Sequence, residues 1–177
     1  MIRGPAERLP WRAAAFDRVY CVNALHHFRD APASLAEARR VLRPGGAMMT
    51  IGLDPHVGAD RWFIYDYFEG TLDIDKQRYP SSATIRDWMR VAGFAHCVTR
   101  EVQYLSLRLP AREALDGGRL DKTVTSQLSV LTDEEYQRGM QRIHEDMQRA
   151  ESSGQSLCLT AELRLYGTTG SVPGASR

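Results

Sequence analysis

Apolar residues recur along this chain in two rhythms, and the change from one to the other lays out most of its elements. Residues 16–23, Phe-Asp-Arg-Val-Tyr-Cys-Val-Asn, are rich in β-branched and aromatic side chains and hold no glycine or proline, which predicts a buried strand. Residues 32–42 switch to helical spacing, with Leu35, Ala38, Val41 and Leu42 on one face behind Pro32. Pro44-Gly45-Gly46 is expected to stop that helix, because glycine takes positive φ without a steric penalty. Residues 47–53 are apolar again. A strand, a helix and a second strand, both strands apolar almost throughout, predict a right-handed crossover in a parallel sheet covered on both faces.

Further along, residues 54–80 gather Trp62, Phe63, Tyr65, Tyr67, Phe68 and Tyr79 in a connection too long to be featureless. A helix is expected at 82–92, with Ser82 as its cap and Ile85, Trp88, Met89 and Ala92 on one face, then a strand from Phe94 to Val102. Thr132-Asp-Glu-Glu135 is a capping box, behind which Tyr136, Met140, Ile143 and Met147 mark an amphipathic helix to about Ala150. Residues 156–166 alternate, with Leu157, Leu159, Ala161, Leu163 and Leu165 on one side, as in an edge or antiparallel strand. From Gly167 the composition turns to Gly, Ser, Thr and Pro, and a disordered tail is expected over 167–177. The class is α/β. The folded part is expected to end near residue 166, with insertions at about 54–80 and 103–150.

Composition narrows the function. The 177 residues carry 23 Lys and Arg against 22 Asp and Glu, a net charge of +1, which argues against a polyanion-binding surface and hence against a nucleic-acid partner. No apolar run approaches the roughly 20 residues a bilayer demands, and no secretory h-region opens the chain, so neither a membrane nor an export route is indicated and a cytoplasmic location is expected. Cys21, Cys97 and Cys158 are far apart in apolar runs, which fits reduced core thiols better than a zinc site.

Several short motifs add a resemblance. Gly4-Pro-Ala-Glu-Arg-Leu-Pro10, Phe16-Asp17, Leu25-His-His27, Ala38-Arg-Arg-Val-Leu-Arg-Pro-Gly-Gly46 and, later, Ala92-Gly93-Phe94 stand in an order and spacing similar to that of the class I methyltransferases that use S-adenosylmethionine, above all the small-molecule group with the ubiquinone and menaquinone enzymes. The resemblance implies a partial Rossmann-like sheet, strands four to seven of the family, mostly parallel with an antiparallel last strand and a helical insertion. It implies S-adenosylmethionine as cofactor and a small organic molecule as partner. The family's glycine-rich loop and the acidic residue after its second strand have no counterpart here, so about 70–100 further residues are expected upstream. Pro5 departs from the family's usual Asp or Asn and has no side-chain hydrogen bond to offer.

On that resemblance Pro5, Ala6 and Glu7 are candidates for the adenine pocket, and Val22 and Asn23 for the sulfonium end. His26 and His27 are candidate catalytic residues, since an imidazole with an ordinary pKa of about 6.5 is a suitable base near neutrality; otherwise one packs and the other is solvated. Trp62, Tyr65 and Tyr67 are candidate substrate contacts, or a small core beneath the connection. The alternative function is a non-catalytic remnant that binds a partner or pairs into a homodimer through an open sheet edge. Calorimetry with S-adenosylmethionine on this chain is expected to show no binding; a micromolar dissociation constant, about −8 kcal/mol, would overturn that expectation.

Overall fold

A computed structural model describes residues 3–174. In chain order they form β1 (Phe16–Val22), α1 (Ala31–Val41), β2 (Leu42–Leu53), β3 (Arg61–Trp62), α2 (Phe63–Tyr67), α3 (Thr71–Arg78), α4 (Ser82–Val91), β4 (Ala95–Pro110), α5 (Ala111–Asp116), α6 (Ser126–Ser129), α7 (Asp133–Ser152) and β5 (Cys158–Ser171). The chain divides into two compact units. The first holds the residues up to Val57, Arg78–Gln103 and those from Arg164 on, and the second holds Gly58–Gln77 and Tyr104–Leu163.

The first unit is built on β1 and β2, which pair in parallel with Val19 opposite Met48, Cys21 opposite Thr50 and Val22 opposite Ile51. The predicted crossover is present as α1. The Asp30 carboxylate caps it by accepting from the Ala33 N–H at 2.9 Å, and Pro32 sits in its first turn. The helix stops one residue after Val41, where Leu42 turns extended. Pro44-Gly45-Gly46 therefore lies inside β2, beside a register shift between Phe16 and Arg18, instead of ending the helix. Leu165–Ser171 of β5 runs antiparallel to Ala47–Leu53 of β2, the antiparallel last strand that the alternation suggested.

Leu35, Ala38, Leu42, Met48, Met89 and Phe94 form the core of this unit. Each large side chain among them contributes about 1.5–3 kcal/mol by leaving water. α4 joins that core through Met89 and is capped by Ser81, whose hydroxyl accepts from the Thr84 N–H, one residue before the expected Ser82. The expected tail from Gly167 is corrected: β5 continues to Ser171, and Val172 is buried and exchanges backbone hydrogen bonds with Gly45 and Gly46. Glycine is needed in this stretch for close approach and not for a turn. A Cβ on Gly167 would stand 2.7 Å from Val102 Cγ1, and one on Gly170 would stand 2.9 Å from Phe94 Cβ. Residues 175–177 lie outside the described range.

Two further expectations change. One face of β1 is open, with Tyr20 64% and Val22 55% exposed, so the sheet is covered on the α1 side only at this strand. Cys21 is buried and Cys97 half-buried, but Cys158 is exposed.

The second unit packs α2 and α7 together. α7 begins at the predicted capping box, with Thr132 and Glu135 serving each other's backbone N–H groups. Ile143 and Met147 are buried along it. β3 pairs with β5 at Glu162 and Ala161. Phe68, fully buried, lies against Gly139 of α7, where an added Cβ would fall 2.2 Å from Phe68 Cδ1. In an open helix Gly→Ala stabilises by about 1 kcal/mol. Here overpacking reverses the sign, and Gly139→Ala is expected to destabilise by about 1–3 kcal/mol in urea unfolding. Adding Phe68→Leu to Gly139→Ala should recover part of that loss, and stabilisation by Gly139→Ala alone would contradict the packing.

Candidate functional site

The parallel ladder delivers Asn23 to the carboxyl end of β1. Its N–H donates to the Ile51 carbonyl at 2.8 Å, one step past the last paired residue. There the chain turns sharply, with Asn23 at φ +46°, a left-handed conformation that asparagine tolerates better than most residues. A single 3₁₀ turn follows over Leu25–His27. Buried Leu25 anchors it, and the His27 and Phe28 N–H groups donate to the Ala24 and Leu25 carbonyls.

That turn stacks three rings. The His26 ring centroid lies 3.9 Å from those of both His27 and Tyr79, and the Tyr79 ring is only 23° from parallel to His26. The Arg78 guanidinium lies 5.8 Å from the centre of the Tyr79 ring. Tyr79 is itself held through its backbone, because the His56 Nε2–H donates to its carbonyl at 2.9 Å. Asn23, His26, Thr50, Gly52, Tyr79 and Tyr166 line a small cavity of about 20 Å³, enough for about one water molecule.

A wider cleft of about 440 Å³ adjoins it and shares Ser82 and Tyr166 with it. Asp54, His56, Arg86, Thr99 and Arg100 form much of its wall. Asp54 is 4% exposed, and its oxygens accept from the Ser82 N–H at 2.7 Å and the His56 N–H at 3.2 Å. The end of β2 is thereby tied to the start of α4. Arg86 donates to Thr99 Oγ1 at 2.9 Å, and that hydroxyl shares a hydrogen bond of the same length with Thr168.

Burial, and then the neighbouring His27 and Arg78, push His26 down from 6.5 to about 4. His26 is therefore neutral near pH 7 and offers a ring nitrogen as acceptor more readily than it holds a proton. Cys21 is pushed up by burial, which makes its thiol inert.

The structure places the sequence candidates unequally. Asn23 and His26 meet in one cavity, Val22 lies open just before them, and exposed His27 lies beside His26 with the two rings tilted by 48°. Pro5 is exposed, and its carbonyl closes a turn by accepting from the Arg8 N–H; Ala6 is half-buried. The Glu7 carboxylate accepts from the Asp30 N–H at 3.0 Å, and that bond lowers its pKa. Trp62, Tyr65 and Tyr67 belong to the second unit. Trp62 and Tyr65 meet edge to face at 5.3 Å, Tyr65 donates to the buried Asp75, and Tyr67 donates to Asp146 at 2.8 Å. Tyr67 is held up at about 12, first by burial and then by Asp146, and it lines a pocket of about 260 Å³ with Asp66 and Arg142. Sequence reasoning singled out Tyr79 only as the end of the aromatic connection and missed Asp54, Arg86 and Tyr166. Asp54 alone had a signal, since it directly follows a strand in a parallel pair, where ligands bind.

Residues 1–50 match the family model of the methyltransferase domain. The chain is 35% identical over 85 residues to the phthiotriol/phenolphthiotriol dimycocerosates methyltransferase of Mycobacterium leprae, covering 48% of this chain and 31% of that protein. It is 29% identical over 132 residues to the ubiquinone/menaquinone biosynthesis C-methyltransferase UbiE of Bordetella avium, covering 65% of this chain and 50% of that one. The chain thus spans half or less of the length of these curated relatives. A solved structure from Anabaena variabilis, assigned as a methyltransferase of an antibiotic biosynthesis pathway, superposes with a TM-score of 0.60 at 18% identity over 94% of this chain and 72% of that one, which shows a shared fold. Over residues 1–50 the chain is thus similar in sequence to methyltransferase domains, and it shares the fold of a solved methyltransferase, a likeness its motif order implied.

His26 has a consequence for stability. The unfolded chain takes up this proton near 6.5 and the folded chain only near 4. The contribution is therefore complete above pH 6.5 and is lost as pH falls toward 4. Nuclear magnetic resonance of the His26 ring should give a midpoint near 4, and His26→Phe should flatten the fall in stability across that window. A midpoint near 6.5 would contradict the stacked, desolvated placement.

Proposed function

We propose that the protein is an S-adenosylmethionine-dependent methyltransferase acting on a small organic molecule, with the acceptor held where β1 and β2 end. The observation that carries this reading is the placement of Asn23 and His26 at the carboxyl end of a parallel strand pair, on a cavity that continues into a wider cleft. The family and fold relationships support it.

Part of the cofactor's surroundings fits the residues present. Val22 offers an exposed apolar side chain and Asn23 an exposed amide next to it, suited to one wall against the cofactor. Pro5 and Ala6 fit at most an apolar contact with an adenine ring, because the Glu7 carboxylate is already committed to Asp30. No glycine-rich turn follows a strand in this sequence, so the backbone cradle for the methionine end is not supplied by these residues. When bound, the cofactor supplies an electrophilic methyl group on a sulfonium.

The chain's own contribution is alignment and proton handling. Asn23, fixed by its bond to Ile51, orients a polar group of the acceptor. His26 accepts a hydrogen bond from the acceptor's N–H or O–H through its neutral ring, and as the new bond to the methyl carbon forms and the sulfonium bond breaks, that proton leaves to water through the open cleft. Among the aromatic candidates, Trp62 and Tyr65 serve mainly as packing in the second unit, and Tyr67 is the one that faces a pocket.

The reading is tested by amide chemical shifts during titration with S-adenosylhomocysteine at millimolar concentration, which detects association too weak for calorimetry. Saturable shifts at Val22, Asn23 and Ala24, weakened in Asn23→Ala, are expected. Shifts confined to other surfaces would remove the cofactor from this end of the sheet and the proposed function with it.

A further inference from the structure

The wider cleft has a charge pattern that methyl transfer does not call for. Two arginines, Arg86 and Arg100, stand in its wall. Arg86 is half-buried, and its hydrogen bond goes to a neutral hydroxyl, Thr99 Oγ1. Among the described residues no carboxylate lies within ion-pair distance of either arginine. The two carboxylates in the same wall are already engaged. Asp54 is buried and takes backbone N–H groups from Ser82 and His56, while Glu101 pairs with Arg164 at 3.5 Å. The cleft wall thus holds two arginines without an ion-pair partner among the described residues, one of them half-buried. An arginine in that state is most favourably completed by a planar or tetrahedral anion, which its fork of N–H donors can chelate.

We propose that Arg86 and Arg100 form an anion clamp that selects acceptors carrying a carboxylate or phosphate group. This rests on the methyl-transfer reading for what the site does with such a molecule. The anionic end lies in the wide cleft, and the methyl-accepting end reaches past Ser82 and Tyr166, common to both walls, to Asn23 and His26. The small cavity is too narrow to take more than the reacting group, so the bulk of the acceptor occupies the wide cleft, and its charge there decides which molecules are accepted. Thr99 is a positioning residue: through Thr168 on β5 it fixes the guanidinium of Arg86.

The test follows the side-chain Nε–H signals of Arg86 and Arg100 in the whole chain during titration with inorganic phosphate and with acetate, with sodium chloride at matched ionic strength as control. Both signals are expected to shift saturably with at least one anion and not with chloride. Arg100→Gln should weaken that binding about tenfold, the usual result of losing one charge-assisted contact, and Arg86→Lys should weaken it while the chain stays folded by its amide spectrum. Tighter phosphate binding assigns a phosphorylated acceptor, and tighter acetate binding a carboxylic acid. Linear shifts of equal size for all three salts, unchanged in Arg100→Gln, would overturn the clamp. The S-adenosylhomocysteine titration is run on the same samples: a clamp that saturates while Val22 and Asn23 stay silent keeps the anion site and discards methyl transfer. The opposite result keeps methyl transfer and discards the clamp.

Discussion

The candidate site depends on the parallel hydrogen-bond ladder between β1 and β2. Because both strands run the same way, their carboxyl ends arrive together. Asn23 and Asp54 therefore leave the sheet on the same edge, with the chain turning away at each. An antiparallel pair would send one of them to the far side. The extra hydrogen bond from Asn23 to Ile51 extends the ladder past the last regular pair and sets the angle at which the chain leaves it. The following 3₁₀ turn then has little freedom, since Leu25 must go into the core and the two histidines must stay outside it.

Electrostatics divides the site into two parts. At the narrow end, burial and neighbouring positive charge keep His26 neutral, so its ring offers a hydrogen-bond acceptor in place of a charge. In the wide cleft, Asp54 is held by backbone N–H groups and Glu101 by Arg164, while Arg86 and Arg100 have no ion-pair partner among the described residues. Asp54 links the two. It is buried, accepts from two backbone N–H groups and holds the start of α4 against the end of β2, with Tyr79 just before that tether in the chain and Arg86 just after it. Loss of Asp54 would act on both parts at once by freeing the start of α4.

Much of the fold could be read in advance because it rests on local periodicity. The apolar runs around Val19 and Met48, the helical face of Leu35 and Ala38, and the capping box at Thr132 each report on neighbours within a few residues. The errors came where packing from far along the chain decided the outcome. Gly167 and Gly170 look like linker residues in sequence, yet they are strand positions where Val102 and Phe94 leave no room for a side chain. Pro44-Gly45-Gly46 looks like a helix stop, yet Val172 pairs with its backbone and draws it into β2. At the site, Asn23 and His26 were legible as the residues following a strand. Arg86 and Tyr166 were not, because they come from two segments far apart in the chain that meet through the β2–β5 pairing and the Asp54 tether.

The account stands on the direction of one strand pair, and backbone nuclear Overhauser contacts measure that direction without reference to ligand or activity. Contacts advancing in step, from Val19 with Met48 through Cys21 with Thr50 to Val22 with Ile51, are the predicted result. A pattern in which β1 advances while β2 retreats, or no contact between them, would contradict it and leave Asn23 and Asp54 without a shared edge.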